Sequence, residues 1–329
     1  MNTKETTSTK SILFEQIDAL KGIAIFLVVL GHGIIFYPVD LHQNVVCESI
    51  FRWLSSVHMP LFFLISGFCF SFKGNYKSFI WKKIKRLLIP YFVFNAIDVV
   101  PRALLSSFVN RPRSIGESLQ KIVFNGGEYW FLYVLFLIFL FYPLVDKLIN
   151  NRLYNYLSAL GIVFILSLYV SSITIFLLNN VFNYLFYFIL GAMIKNQWGT
   201  KIFDLKLNKI ITFLSICALI AVWMLILRSN GAYSGVCAAL IGILTFFLCM
   251  QFKLPVSFFK RFGKYSLQLY LFNGYLLVIS RTIIVSVLGM TNPFIIIAFN
   301  MLIDFFFSYM VIKYICEKIK PVKFLMGMV

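Results

Sequence analysis

Charge is scarce in this chain of 329 residues, and acid is scarcer still: 13% of it is Asp, Glu, Lys or Arg, with 12 acids against 30 Lys and Arg. Three histidines and six cysteines are the other groups suited to chemistry. The cysteines stand at 47, 69, 217, 237, 249 and 316 with no CxxC or His-x-Cys spacing, so metal and disulfide chemistry have no support. Walker and GxGxxG sequences are missing too, as are low-complexity tracts and evident repeats. What fills the chain is apolar: 60% hydrophobic and 18% aromatic residues, with a mean hydropathy of +0.88. That composition excludes an ordinary soluble domain and requires a polytopic membrane protein whose partner is the lipid bilayer. The net charge of +18 does not point to nucleic acid, which needs basic residues gathered on one soluble face; here they recur in short blocks between apolar runs.

Lipid offers backbone groups no hydrogen bonds, so a spanning segment is a helix of roughly 20 residues or part of a closed barrel. The apolar runs are continuous rather than alternating, and the expected class is an all-α membrane bundle forming one domain over 1–329. About ten spans are predicted, at 16–37, 54–72, 87–108, 129–149, 153–171, 175–194, 209–228, 233–252, 265–288 and 293–315. The first run is too long for a cleavable signal, and no small-residue cleavage site follows "FYPVD". With the N-terminus inside, twenty-three Lys and Arg fall in cytoplasmic connections and seven in outer ones. Both termini are therefore expected in the cytoplasm, as short tails at 1–13 and 316–329, with "LHQNVVCESI" and "NRPRSIGESLQKIVFNGGEYW" outside.

Polar residues within apolar runs are functional candidates, because lipid makes them costly. In "LKGIAIFLVVLGHGIIF", Lys21 and His32 are eleven residues apart, which on a helix is about three turns and roughly 16 Å along one stripe. Lys21 reads either as a snorkelling anchor or as the inner end of a site, and Asp18, one turn earlier, is placed to pair with it. His58 enters the second span at a depth similar to that of His32, whereas His42 lies in an outer loop. In "KSFIWKKIKRLLIPY", Lys82, Lys83, Lys85 and Arg86 precede Pro90, which is expected to interrupt the helix and free backbone groups. Such a mouth suits a cytoplasmic anion with several phosphates, although basic flanks also serve topology alone. Asp98 and Asp304 are acids within spans, and Trp53, Tyr129 and Trp130 sit where aromatic belts form. Arg111 and Arg113 form an exposed basic loop.

The stretches "IDALKGIAIFLVVLGH", "HMPLFFLISGF", "KKIKRLLIPY", "YWFLYVLF" and "FGKYSLQLYLFN", taken in order, resemble successive motifs of the membrane acyltransferase 3 family, from about residue 14 to 315. The resemblance implies a multi-pass O-acyltransferase of the cell membrane. It moves an acyl group, most often acetyl, from cytoplasmic acyl-CoA to a hydroxyl of an extracytoplasmic glycan or polysaccharide, with no permanently bound cofactor. Its implied parts are His32 as base or acyl carrier, Lys21 to position the donor with support from Asp18 and His58, and Lys82, Lys83, Lys85 and Arg86 on the CoA phosphates. A sugar would stack on Trp130. The chain departs from relatives in carrying Lys21 where arginine is frequent, and Asn273 where histidine is frequent. Asn is no base at neutral pH, so acid/base duty is expected to fall on His32, with no catalytic role for Asn273. Two other classes stay open: a transporter or flippase of a lipid-linked sugar, for which paired broken helices would argue, and a scaffold in a glycan-assembly complex.

Overall fold

A computed structural model describes residues 3–35, 41–104, 114–199, 207–229 and 233–328, and no strand occurs among them. In chain order the helices are α1 (Thr3–Ile35), α2 (Val45–Phe68), α3 (Tyr76–Lys83), α4 (Ile89–Leu104), α5 (Ile115–Phe124), α6 (Trp130–Ile149), α7 (Leu153–Tyr169) and α8 (Leu178–Gln197). There follow α9 (Lys209–Arg228), α10 (Ser234–Cys249), α11 (Lys253–Gly263), α12 (Ser266–Phe272), α13 (Tyr275–Thr282), α14 (Pro293–Asn300), α15 (Ser308–Val311) and α16 (Lys320–Leu325).

Among the described residues, seven helices are long and apolar enough to cross a membrane, and nine if each of two bent pairs counts as one span. The all-α polytopic class therefore holds, with fewer qualifying spans than the ten expected. The expected span at 87–108 is not among the nine; its residues 105–108 lie outside the described part, as do Arg111 and Arg113. The second span begins earlier than expected because Asn44 caps α2, its Oδ1 accepting from the N–H groups of Val46 and Cys47, so most of "LHQNVVCESI" is helix rather than loop. Residues 3–13, expected as a tail, continue the first helix. Only Ile173 and Thr174 separate two spans, Leu153–Ser172 and Ile175–Gln197. Large side chains such as Ile210 and Leu225 on α9 stay 72% and 64% exposed, as a face toward lipid requires.

The chain divides into two compact units, one of residues 1–65 and 194–306, the other of 66–193 and 307–329. In the first unit, α1 packs on α11 with almost no side chain between them. A Cβ on Gly22 would stand 2.1 Å from the Phe259 carbonyl oxygen, and one on Gly263 would stand 1.7 Å from that of Asp18. Glycine is the residue that lets two helix backbones meet so closely. An ion pair of Lys260 with Glu15 at 3.0 Å joins the same two helices, and the rings of Phe26, Phe259, Phe262 and Phe305 pack edge-on or tilted beside them. The wholly buried Trp223 of α9 donates from Nε1 to Ser56 Oγ on α2 at 3.0 Å.

The second unit is built on aromatic packing: Phe70, Phe79, Phe139, Tyr142 and Phe188 meet at centroid distances of 4.6–6.4 Å. Pro90 does not interrupt its helix. A π-helical stretch, Ile84–Leu88, runs from α3 straight into α4, with Ile89 N–H reaching the Ile84 carbonyl. The wider turn absorbs the proline ring. Gly327, with φ +68°, seats its backbone against the Arg86 carbonyl and the Pro90 ring; a Cβ there would be 2.4 Å from that oxygen.

Candidate active site

The site residues read from sequence fall on both units. Asp18, Lys21, His32 and His58 belong to the first; Lys82, Lys83, Lys85, Arg86 and Trp130 belong to the second.

In the first unit, Lys21 and His32 share α1 without a break, so the three-turn stripe is present. Lys21 Nζ donates to Asp18 Oδ1 at 3.0 Å, the pairing the spacing predicted. Both groups remain partly exposed, and the pair sits where Gly22 and Gly263 press α11 onto α1. His58 uses its ring within its own helix: a carbonyl only accepts, so Nδ1–H donates to Leu54 O at 2.7 Å and Nε2 is left as the acceptor. His42 lies edge-on to Phe51.

One partner of His32 is a residue to which the sequence assigned no role. Asn273 Nδ2 lies 2.5 Å from His32 Nδ1. Asn273 stands at the break between α12 and α13, where Gly274 takes φ +106° and the helix bends by 48° between Ser266–Phe272 and Tyr275–Val287. Only glycine enters that conformation at little cost, so the sequence pair Asn-Gly makes the break. The broken helix reaches α1 a second time. Arg281, wholly buried, donates from Nη1 to the Gly33 carbonyl at 2.7 Å. Gly33 is within the last turn of α1, where carbonyls lack intrahelical partners and a cation is favoured. Arg281 had counted only as one outer positive charge; the signal for it was a cation alone in the apolar run "LLVISRTIIV". From a later helix, the Asp304 carboxyl, 1% exposed, faces the N–H groups of Gly274 and Leu277 at the start of α13 without closing a hydrogen bond to them.

In the second unit the four basic residues divide. Lys82 and Arg86 are exposed and Lys85 half-buried, its ammonium 5.5 Å from the Trp81 ring. Lys83 turns inward, with Nζ 3.6 Å from the ring centre of Phe139 and 5.2 Å from that of Phe79. Burial, and after it the Arg86 charge, pull Lys83 down from the usual 10.5 to about 8. Trp130 opens α6 and lies over Tyr184, centroids 5.5 Å apart and planes 31° from parallel. Just before it, Asn95 Oδ1 accepts from Glu128 N–H, Lys121 pairs with Glu128 at 2.7 Å, and Asp98 and the buried Ser118 line a small notch beside them. Among the described residues, no cluster of three His, Cys, Asp or Glu side chains could hold a metal.

Fold and site together define a polytopic helical membrane protein whose first helix carries a histidine, held by a broken helix, three turns from an ion-paired lysine. Residues 14–315 match the family described as "Acyltransferase domain", and the chain belongs to that family. It is also 30% identical over 127 residues to the nodulation protein NolL of Sinorhizobium fredii (strain NBRC 101917 / NGR234). That match covers 37% of this chain and 34% of NolL, so the chain spans about a third of the length of that relative. No solved structure matches.

Proposed function

We propose that this protein is an O-acyltransferase of the cell membrane that moves an acyl group, acetyl in the first instance, from cytoplasmic acyl-CoA to a hydroxyl of an extracytoplasmic glycan or polysaccharide. The observation that carries the reading is the stripe on α1: the Lys21–Asp18 pair, then three turns on a histidine whose Nδ1 is engaged by Asn273. His32 then presents Nε2 to substrate. Its role is to take the proton of the acceptor hydroxyl as that oxygen attacks the thioester carbonyl, the C–O bond forming as the C–S bond breaks; the proton then passes to the departing CoA thiolate. Lys82, Lys83, Lys85 and Arg86 are assigned to the phosphates of CoA, Lys21 to positioning the donor with Asp18, His58 to a supporting role, and Trp130 to a sugar face. The termini are assigned to the cytoplasm on the distribution of Lys and Arg.

The bent pairs, α10–α11 at 109° and α12–α13 at 48°, favour the transporter reading, since transporters build sites from broken helices. One measurement separates them. Purified full-length protein in detergent, given acetyl-CoA and a glycan hydroxyl acceptor, is expected to release CoA and to lose that release in His32→Ala; release unchanged in the variant sinks the assignment. Mass spectrometry of surface glycans from cells with the wild type, the variant and no protein would then name acyl group and acceptor together.

A further inference from the structure

We infer that Asn273 is a positioning residue that selects the working tautomer of His32 by presenting its carbonyl oxygen, not its amide nitrogen, to Nδ1 during acyl transfer. The inference rests on His32 being the base, and it adds a residue and an orientation to that reading.

The argument starts from the two faces of an Asn amide, an NH2 donor and an oxygen acceptor, which fill nearly the same space. As placed, Nδ2–H donates to Nδ1, which puts the ring proton on Nε2 and leaves that nitrogen able only to donate. In this orientation Oδ1 has no hydrogen-bond partner, in a residue 8% exposed. Turned by 180°, Oδ1 accepts from Nδ1–H and the ring lone pair moves to Nε2.

The chemistry selects the second orientation. When Nε2 has taken the hydroxyl proton, the ring is an imidazolium with an N–H at both positions. An Nδ2–H group facing Nδ1–H would then set donor against donor, whereas Oδ1 accepts and steadies the charge. A carboxylate does this for the histidine of a Ser-His-Asp triad; a neutral amide does it without placing a second charge in the membrane. The break at Asn273–Gly274 serves this function: Asn273 N–H still closes α12 on the Leu269 carbonyl, and Gly274 then turns the chain, which fixes the corner from which the amide reaches α1. Arg281 on the Gly33 carbonyl holds the end of α1 from the same broken helix, so ring and amide are presented by two elements tied at two points.

The test joins a spectroscopic readout to kinetics on the full-length protein. In 15N-histidine-labelled protein in nanodiscs saturated with acetyl-CoA, with His32 assigned by its loss in His32→Ala, His32 Nδ1 is expected to be protonated and Nε2 unprotonated; the reverse pattern overturns the proposal. Asn273→Ala is expected to lower kcat by roughly 10- to 100-fold with KM for acetyl-CoA unchanged, and Asn273→Asp, acceptor on both oxygens, to restore most of that loss. An Asn273→Ala variant as fast as wild type, or an Asn273→Asp variant that folds, keeps the His32 signal and is no faster than Asn273→Ala, refutes it. A failure of the base assignment looks different: His32→Ala would keep full activity whatever the spectrum showed.

Discussion

Replacing Gly263 by alanine adds one methyl group where the structure has no room for it. The new Cβ would stand 1.7 Å from the Asp18 carbonyl oxygen and 2.5 Å from its carbon, about 1.3 Å inside the 3.0 Å floor of real Cβ contacts. The obstacle is helix backbone, which no rotamer change moves, so α11 must back away from α1. Overpacking of this kind costs on the order of 3 kcal/mol, a drop of roughly a hundredfold in the folded-to-unfolded ratio. Gly161 in α7 provides the opposite case, since its Cβ would meet nothing within 4 Å; there alanine contributes up to about 1 kcal/mol of helix propensity. The assay is equilibrium unfolding in mixed detergent micelles, read by circular dichroism. The Gly263→Ala midpoint is expected to fall clearly while Gly161→Ala holds or rises. Transfer rate should fall with the first as well, because the displaced turn carries the Lys21–Asp18 pair. Equal midpoints for the two variants would refute the backbone contact on which the α1–α11 packing rests.

Lys83 supplies a pH test with two opposite signs. Its charged form is what binds a phosphate, so CoA affinity should hold below about pH 8 and weaken above it, by up to tenfold per unit, and Lys83→Arg should flatten the profile in isothermal titration. Stability runs the other way: the unfolded chain keeps the Lys83 proton to its usual 10.5, so unfolding takes up a proton between about 8 and 10.5 and stability rises with pH across that window. Trp130→Ala should raise the acceptor KM roughly tenfold and leave the donor KM alone, since the ring and its Tyr184 partner form a stacking platform; equal changes in both constants would remove it from the acceptor side. Asp18→Asn should cost under about 1 kcal/mol of stability, the pair being partly exposed, yet raise the donor KM severalfold; a stability loss with unchanged kinetics would make the pair structural only.

Sequence alone determined the class, most of the spans and one helix of the candidate site. Scarce charge in continuous apolar runs leaves the helix as the structure that can hold its backbone in lipid, and a helix converts the eleven-residue spacing of Lys21 and His32 into a shared stripe, as it converts the three-residue spacing of Asp18 and Lys21 into an ion pair. Tertiary structure decided what touches that stripe. Asn273 and Arg281 are 241 and 248 residues from His32 and Gly33, and no local pattern records that a break at Gly274 turns an amide onto the imidazole while a buried guanidinium closes the end of α1. The same holds for Lys83, which four similar letters in "KKIKR" do not single out; burial between two phenyl rings does. Periodicity is a property of one helix, whereas partners, proton positions and charge burial belong to the packing of several.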